Sequence, residues 1–174
     1  MRAEFFLLPA AALVIAGPVR AEVFLTVEQA QSLMFPGASF AKDFRTLSDA
    51  QAAAIEEASG ANVRSRTLQA WRVSTGGWFI VDEVVGKHDF IPFALGLNAD
   101  GSVKAVEILE YREAYGGEVR NPKWLAQFTG KKNGARLQLT DDIQNISGAT
   151  LSSKHITDGV RRLLATYAAI LANR

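Results

Sequence analysis

The spacing of apolar positions changes several times along this 174-residue chain, and each change marks an element. Near the C-terminus Ile156, Val160, Leu163, Leu164, Tyr167, Ile170 and Leu171 recur every three or four residues. That spacing predicts a helix of about five turns with one buried face. Further upstream the period shortens. Thr67, Leu68, Trp71 and Val73, then Trp78-Phe79-Ile80-Val81 with Val84-Val85, are the aromatic and β-branched residues of strands, interrupted by the turn signal Ser74-Thr75-Gly76-Gly77. Residues 91–97 and 102–111 flank Asn98-Ala99-Asp100-Gly101, a hairpin signal. In its second arm Val103, Ala105 or Val106, Ile108 and Leu109 sit among Lys104, Glu107 and Glu110, which predicts one covered and one wetter face.

Helix punctuation is clear elsewhere. Thr26-Val27-Glu28-Gln29 and Ser48-Asp49-Ala50-Gln51 are capping boxes; the first helix stops at Phe35-Pro36-Gly37 and the second can end at Gly60. Residues 38–47 read as a linker that offers Phe40 and Phe44 to the core. Residues 121–130 combine an Asn cap, Pro122 at the first helical position and Gly130 past the end, with Trp124, Leu125 and Phe128 on one face. The resulting fold class is α+β: a twisted antiparallel sheet flanked by helices, in one domain over residues 22–174.

The first 21 residues follow a different logic. Met1-Arg2, an apolar run from Phe5 to Gly17, and Val19 and Ala21 at the minus-three and minus-one positions form a secretory signal pattern with cleavage after Ala21. The apolar run is shorter than the roughly 20 residues that span a bilayer, although an uncleaved anchor is the alternative. The expected location is the periplasm. The chain has 19 basic and 18 acidic residues; two of the former and one of the latter lie in the leader, so the remainder is formally neutral. Neutrality disfavours a nucleic-acid binder. Without cysteine the chain has no disulfide, thiolate metal ligand or iron–sulfur ligation of its own.

The candidate chemistry lies at Ser147-Gly148-Ala149-Thr150-Leu151-Ser152-Ser153, which opens directly into the last helix. A helix N-terminus presents unpartnered amides and the positive end of the macrodipole, so it favours an anion such as phosphate. Small residues permit close backbone approach and the hydroxyls can donate, cap or react. An ordinary capped core helix would show the same composition.

Ser147-Gly148-Ala149-Thr150-Leu151-Ser152 resembles the flavinylation motif, (Ser/Thr)-Gly-Ala-Thr-x-(Ser/Thr), of the FMN-binding domain family, which includes extracytoplasmic flavin subunits of ion-pumping NADH:quinone reductases and electron-transport complexes. The resemblance implies FMN as cofactor, attached by a phosphoester to Ser152. It also implies a flavin transferase using FAD and magnesium, and a membrane redox partner for which haem is one candidate group. It runs through the Asn98–Gly101 hairpin and into Glu113-Ala114-Tyr115-Gly116-Gly117, where an acidic residue and a glycine-rich turn lie against the flavin. Glu113, Tyr115, Gly116 and Gly117 thereby join Ser147, Gly148, Ala149, Thr150, Leu151 and Ser152 as candidate cofactor-binding residues. Gln144 stands where the family often has Asp three residues before the motif, with Asp141 and Asp142 slightly upstream, and serine replaces the common threonine as acceptor.

Two other readings compete. A binding module would hold FMN or another phosphorylated ligand without a covalent bond. A hydrolase would pair Ser152 with His155 three residues on, but it lacks the strand-to-helix elbow of such nucleophiles. His88 and His155 are too few for a structural metal site. The leading expectation is an electron carrier rather than a stand-alone enzyme.

Overall fold

The computed structural model describes residues 22–113 and 115–172. The signal pattern at 1–21 lies outside the described residues. The main sheet is antiparallel and has six strands: β2 (Phe40–Lys42), β3 (Arg45–Thr46), β4 (Thr67–Val73), β5 (Trp78–Val85), β6 (Phe90–Leu97) and β7 (Val103–Ile108). Strands β4 to β7 follow each other as neighbours, and β2 and β3 both lie along β4. A separate two-stranded ribbon pairs β1 (Glu22–Val23) with β8 (Glu110–Tyr111). The helices are α1 (Val27–Met34), α2 (Asp49–Ser59), α3 (Pro122–Leu125) and α4 (Thr150–Thr166), the last continued by a π turn over Tyr167–Leu171. No helix among the described residues is long and apolar enough to cross a membrane.

Both capping boxes form. Thr26 and Gln29, and likewise Ser48 and Gln51, exchange side-chain and backbone bonds, and Gly60 closes α2 in the left-handed conformation. Strand alternation sorts the core into two clusters. Leu68, Ala70, Ile80, Val84, Ile91, Phe93, Leu95 and Leu97 pack in the cluster that holds the buried face of α4, while Trp71, Val73, Phe79 and Ala94 meet Ala30, Met34 and Phe35 beside α1.

The sheet is therefore covered on both sides. The predicted wetter face survives mainly at β7, where Lys104 is exposed and Ala105 and Glu107 are half-buried. Residues 38–47 are not merely a linker, because they build the broken edge strand β2–β3. Phe40 packs edge-on against Phe35 and Phe79, whereas Phe44 stays 48% exposed and touches only the rim of the core at Trp71. Local pattern does not show these short strands, since their partner β4 lies more than twenty residues away.

Helix α4 is drawn tightly onto β5 and β6. At Gly159 a Cβ would sit 2.6 Å from Val84 Cγ1 and 3.1 Å from Phe93 Cζ. A polar anchor stands beside it: the buried Arg162 guanidinium donates to Asp82 Oδ2 (2.6 Å), the Glu83 carbonyl (3.2 Å) and the Asn62 carbonyl (3.1 Å). Arg161 reaches the other way, to the carbonyls of Ser59 (2.6 Å) and Leu137 (2.8 Å). The position of the N-terminal end of α4 is thus set by the sheet.

Gly159→Ala decides between two effects. Alanine gains about 1 kcal/mol of helix propensity, but overpacking costs about 1–3 kcal/mol. Net destabilisation is expected in urea unfolding, with partial recovery in the Gly159→Ala/Val84→Ala double variant. A more stable single variant would show that the approach is looser than described.

Candidate functional site

Helix α4 starts at Thr150, so Ser152 and Ser153 lie inside its first turn rather than before it. Ala149 occupies the N-cap and brings no side-chain cap. The leading amides of the turn, which have no carbonyl one turn back to bond, are left to a ligand. Gly148 precedes them at φ +82°, and a Cβ there would meet nothing within 4 Å.

The segment leading into this turn is held from several sides. Trp124 Nε1 donates to the Gln144 carbonyl (2.7 Å) and the Gln144 amide donates to Gln127 Oε1 (2.8 Å). Asp142 accepts from Lys131 Nζ (2.8 Å) and from the amides of Gln138 (2.8 Å) and Leu137 (3.2 Å). Burial pushes the Asp142 carboxyl up, but those amides and the lysine outweigh it and hold its pKa at about 2. These clamps maintain two residues in the left-handed region, Leu137 (φ 43°) and Thr140 (φ 66°), the latter β-branched and costly there. Lys131, paired with Asp142, thereby serves as a strut.

Opposite α4 stands the loop after β8. The Glu113 side chain is 6% exposed, and its Oε1 accepts from the amides of His88 (2.6 Å) and Asp89 (3.1 Å). Burial favours protonation of Glu113, yet those amides, with that of Lys87 and the nearby His88 ring, keep its pKa below the ordinary value. Glu113 therefore fixes the β5–β6 connection as one wall. Gly116, at φ +91°, closes the loop against α4: a Cβ there would fall 2.6 Å from Tyr111 Oη and 2.8 Å from Ala149 Cβ.

Between these walls lies a cavity of about 880 Å³, inside the roughly 300–1,000 Å³ range of small-molecule and cofactor sites. Ser147, Gly148, Ala149, Thr150, Leu151, Ser152, Glu113, Tyr115 and Gly116 all line it; Gly117 does not and faces a neighbouring groove with Glu118, Arg120, Asn121 and Pro122. Tyr115 (84% exposed) and Leu151 (49%) offer apolar surface at its rim. Ser152 is 5% exposed, and its Oγ lies 3.1 Å from Tyr111 Oη. Burial raises the Tyr111 pKa, opposed by the Ser152 bond and reinforced by Glu113 and Glu118, so the phenol stays protonated. Ser153 is wholly buried and donates to the Ala149 carbonyl (2.9 Å).

The serine–histidine pair does not form. His155 Nδ1 bonds the Val85 carbonyl and Ser152 bonds Tyr111. Among the described residues no group of three or more acidic, histidine or cysteine side chains could hold a metal. Sequence reasoning missed Lys87, His88, Asp89, Arg112 and Glu118 as lining residues and Tyr111 as the partner of Ser152. Apart from a candidate loop beginning one residue after Arg112, no local signal marks them.

A phosphate-bearing ligand with a planar end fits this donor set: free helix amides and hydroxyls at one end, and tyrosine and leucine at the other. The site is that of an anionic-cofactor domain. The family model for the FMN-binding domain matches residues 86–165, which spans β6, β7, the Glu113 loop and most of α4. Over those residues the chain matches this family, and the cofactor that the match supports is FMN. It is also similar to one subunit of the Na⁺-translocating ferredoxin:NAD⁺ oxidoreductase complex of Acetobacterium woodii, 32% identical over 81 residues that cover 41% of this chain and 39% of that relative. The chain spans about two-fifths of the relative's length.

Gly116→Ala is expected to cost about 1–3 kcal/mol in urea unfolding, from its backbone strain and contacts. Gly117→Ala, where a Cβ meets nothing within 4 Å, is expected to stay within about 0.5 kcal/mol. Equal losses would place the loop differently. Because the folded Asp142 pKa is depressed, its contribution is complete above the ordinary value of 3.8 and disappears as pH falls towards about 2. Asp43, also held at about 2 by Arg45 and Arg72, adds to the same limb. Asp142→Asn should therefore flatten only part of the acid limb of stability against pH, and an unchanged limb would remove Asp142 as a strut.

Proposed function

We propose that this chain is a periplasmic electron-transfer flavoprotein whose FMN is esterified to Ser152 and which exchanges electrons with a membrane redox partner. One observation carries the reading. Of the hydroxyls at the start of α4, Ser152 alone is both buried and on the cavity wall, since Ser153 is turned into the helix and Ser147 and Thr150 are exposed. A phosphoester there would put the phosphate at the first-turn amides, and the ring would extend towards Tyr115 and Leu151. Bound flavin supplies the redox chemistry. The protein's own residues bind, orient and screen it: the amides and Thr150 hold the phosphate end, Gly116 permits close packing and Glu113 keeps the opposite wall in place.

Maturation would need a flavin transferase using FAD and magnesium. The signal pattern at residues 1–21 supports export, and a tether would retain cofactor outside the cytoplasm. The similarity to a subunit of a ferredoxin:NAD⁺ oxidoreductase complex supports a redox partner in or at a membrane; the family resemblance adds haem as a candidate group there. The ten residues Ser147 to Ser152, Glu113 and Tyr115 to Gly117 remain the proposed cofactor site, with Gly117 contributing only through the loop. The burial of Ser152, at 5% exposure, favours one second reading, in which its hydroxyl hydrogen-bonds an FMN that is held without a covalent bond.

Intact mass after denaturation separates the two. The chain exported beside a flavin transferase is expected to gain FMN less one water on the peptide containing Ser152, and Ser152→Ala to gain nothing. An unmodified parent carrying releasable FMN would favour the second reading, while a modified Ser152→Ala would place the ester elsewhere.

A further inference from the structure

Four hydroxyls are buried along α4, and they divide three to one. Ser153, Thr157 and Thr166 each donate to a carbonyl four residues back on their own helix, at 2.9, 2.7 and 2.9 Å. This is the ordinary way for a helical hydroxyl to satisfy itself. Ser152 instead turns away from the helix to Tyr111 Oη.

The direction of that bond follows from counting protons. Tyr111 has one hydroxyl hydrogen, and it is donated to the Tyr115 carbonyl at 2.7 Å, which can only accept. In its contact with Ser152 the phenol oxygen is left as acceptor. Ser152 is then the donor, its proton points at Tyr111, and its lone pairs are directed elsewhere. Since Ser152 lines the cavity, those lone pairs are available to a group inside it.

We propose that Tyr111 is a positioning residue for flavin transfer: it draws Ser152 out of helix back-bonding and holds its proton aside, so that the oxygen presents a lone pair to the incoming phosphorus. This rests on the reading of Ser152 as the acceptor. In the transfer, Ser152 Oγ bonds to the phosphorus of the FMN half of FAD and the pyrophosphate P–O bond breaks. AMP leaves with the electron pair, and the Ser152 proton passes to a base of the transferase. Tyr111 neither touches the phosphorus nor takes the proton; its oxygen only accepts the hydrogen bond. Its contribution is orientation before attack and a partial negative charge on Oγ from the donated hydrogen bond.

Gly116 enforces the arrangement from the other side. With a Cβ position only 2.6 Å from Tyr111 Oη, a larger residue would displace the phenol from between Ser152 and Tyr115.

The test treats the full chain as substrate of a flavin transferase with FAD and magnesium, with covalent FMN followed by mass against time. Tyr111→Phe removes one oxygen from a buried ring. Expected is a fall of about tenfold in kcat, the size of one lost hydrogen bond, with KM for the chain unchanged and a melting temperature lower by about 2–4 °C. An unchanged kcat overturns the proposal. So does an unchanged kcat with a raised KM, the signature of a merely structural role. If Tyr111→Phe fails to fold, 3-fluorotyrosine at position 111 keeps the geometry but makes the oxygen a poorer acceptor. A smaller fall in kcat supports the proposal and no fall overturns it. A parent chain that is never modified at Ser152 fails the functional reading itself, whereas a modified parent beside an equally fast Tyr111→Phe fails only the positioning role.

Discussion

The close approach of α4 to the sheet at Gly159 is the contact on which the rest depends. With no side chain there, Val84 and Phe93 come against the helix backbone, and the helix lies low across β5 and β6. Glycine in a helix interior costs about 1 kcal/mol of propensity, and close packing on both sides has to exceed it. The consequence reaches nine residues upstream. A helix seated lower at Gly159 also seats Thr150 and Ser152 lower, within reach of Tyr111 on the β8 ribbon and of the loop after it.

Two polar systems convert that seating into a defined cavity. On one side Asp142, Arg161 and the Trp124–Gln144 bond fix the strained segment that delivers Gly148 to the helix start. On the other, Glu113 gathers the amides of the β5–β6 connection. The charged groups among them, Asp142, Arg161 and Glu113, are bonded by backbone amides or carbonyls, with Lys131 and Asp158 as the charged partners of Asp142 and Arg161, which is the condition under which such charges stabilise rather than penalise a fold. The same saturation makes them unavailable to a ligand. The walls are rigid because their charges are spent on the walls.

This division explains what was legible in the sequence. Elements carried by local rules were readable: both capping boxes, the Asn98–Gly101 hairpin, the Asn-Pro start of α3 and the period of α4 all lie within a few residues of their own cause. The motif residues were readable as a set because helix start, small residues and hydroxyls are contiguous. What was hidden depended on distant partners. Strands β2 and β3 exist because β4 offers an edge, and Lys87 and Asp89 join the site because Glu113 folds their loop towards α4. Tyr111 belongs to a strand pair by pattern, and only the seating of α4 makes it the neighbour of Ser152 forty-one residues away. Gly117 shows the converse: the family resemblance grouped it with Gly116, but a single residue step turns it out of the cavity.

The remaining electrostatics then favour one orientation of the ligand. Among the charged lining groups, Arg112 is paired with Glu110 (2.7 Å) and Glu113 is saturated by amides. Neither contributes much net field. The unspent positive contributions are the uncapped first turn of α4 and the ammonium of Lys87, while Asp89 and Glu118 add negative charge elsewhere on the lining. A helix terminus acts within about one turn, so its pull is confined to the space beside Thr150 to Ser152. A phosphate placed further out, near Tyr115, would lose that pull and gain only solvent. A planar apolar ring placed at the helix start would instead leave the amides without acceptors at a partly buried site, which costs about 1–3 kcal/mol for each group left unmet. By where its unsatisfied donors are, the site favours one orientation of a flavin mononucleotide, and in the proposed arrangement the phosphate end is the one placed beside Ser152.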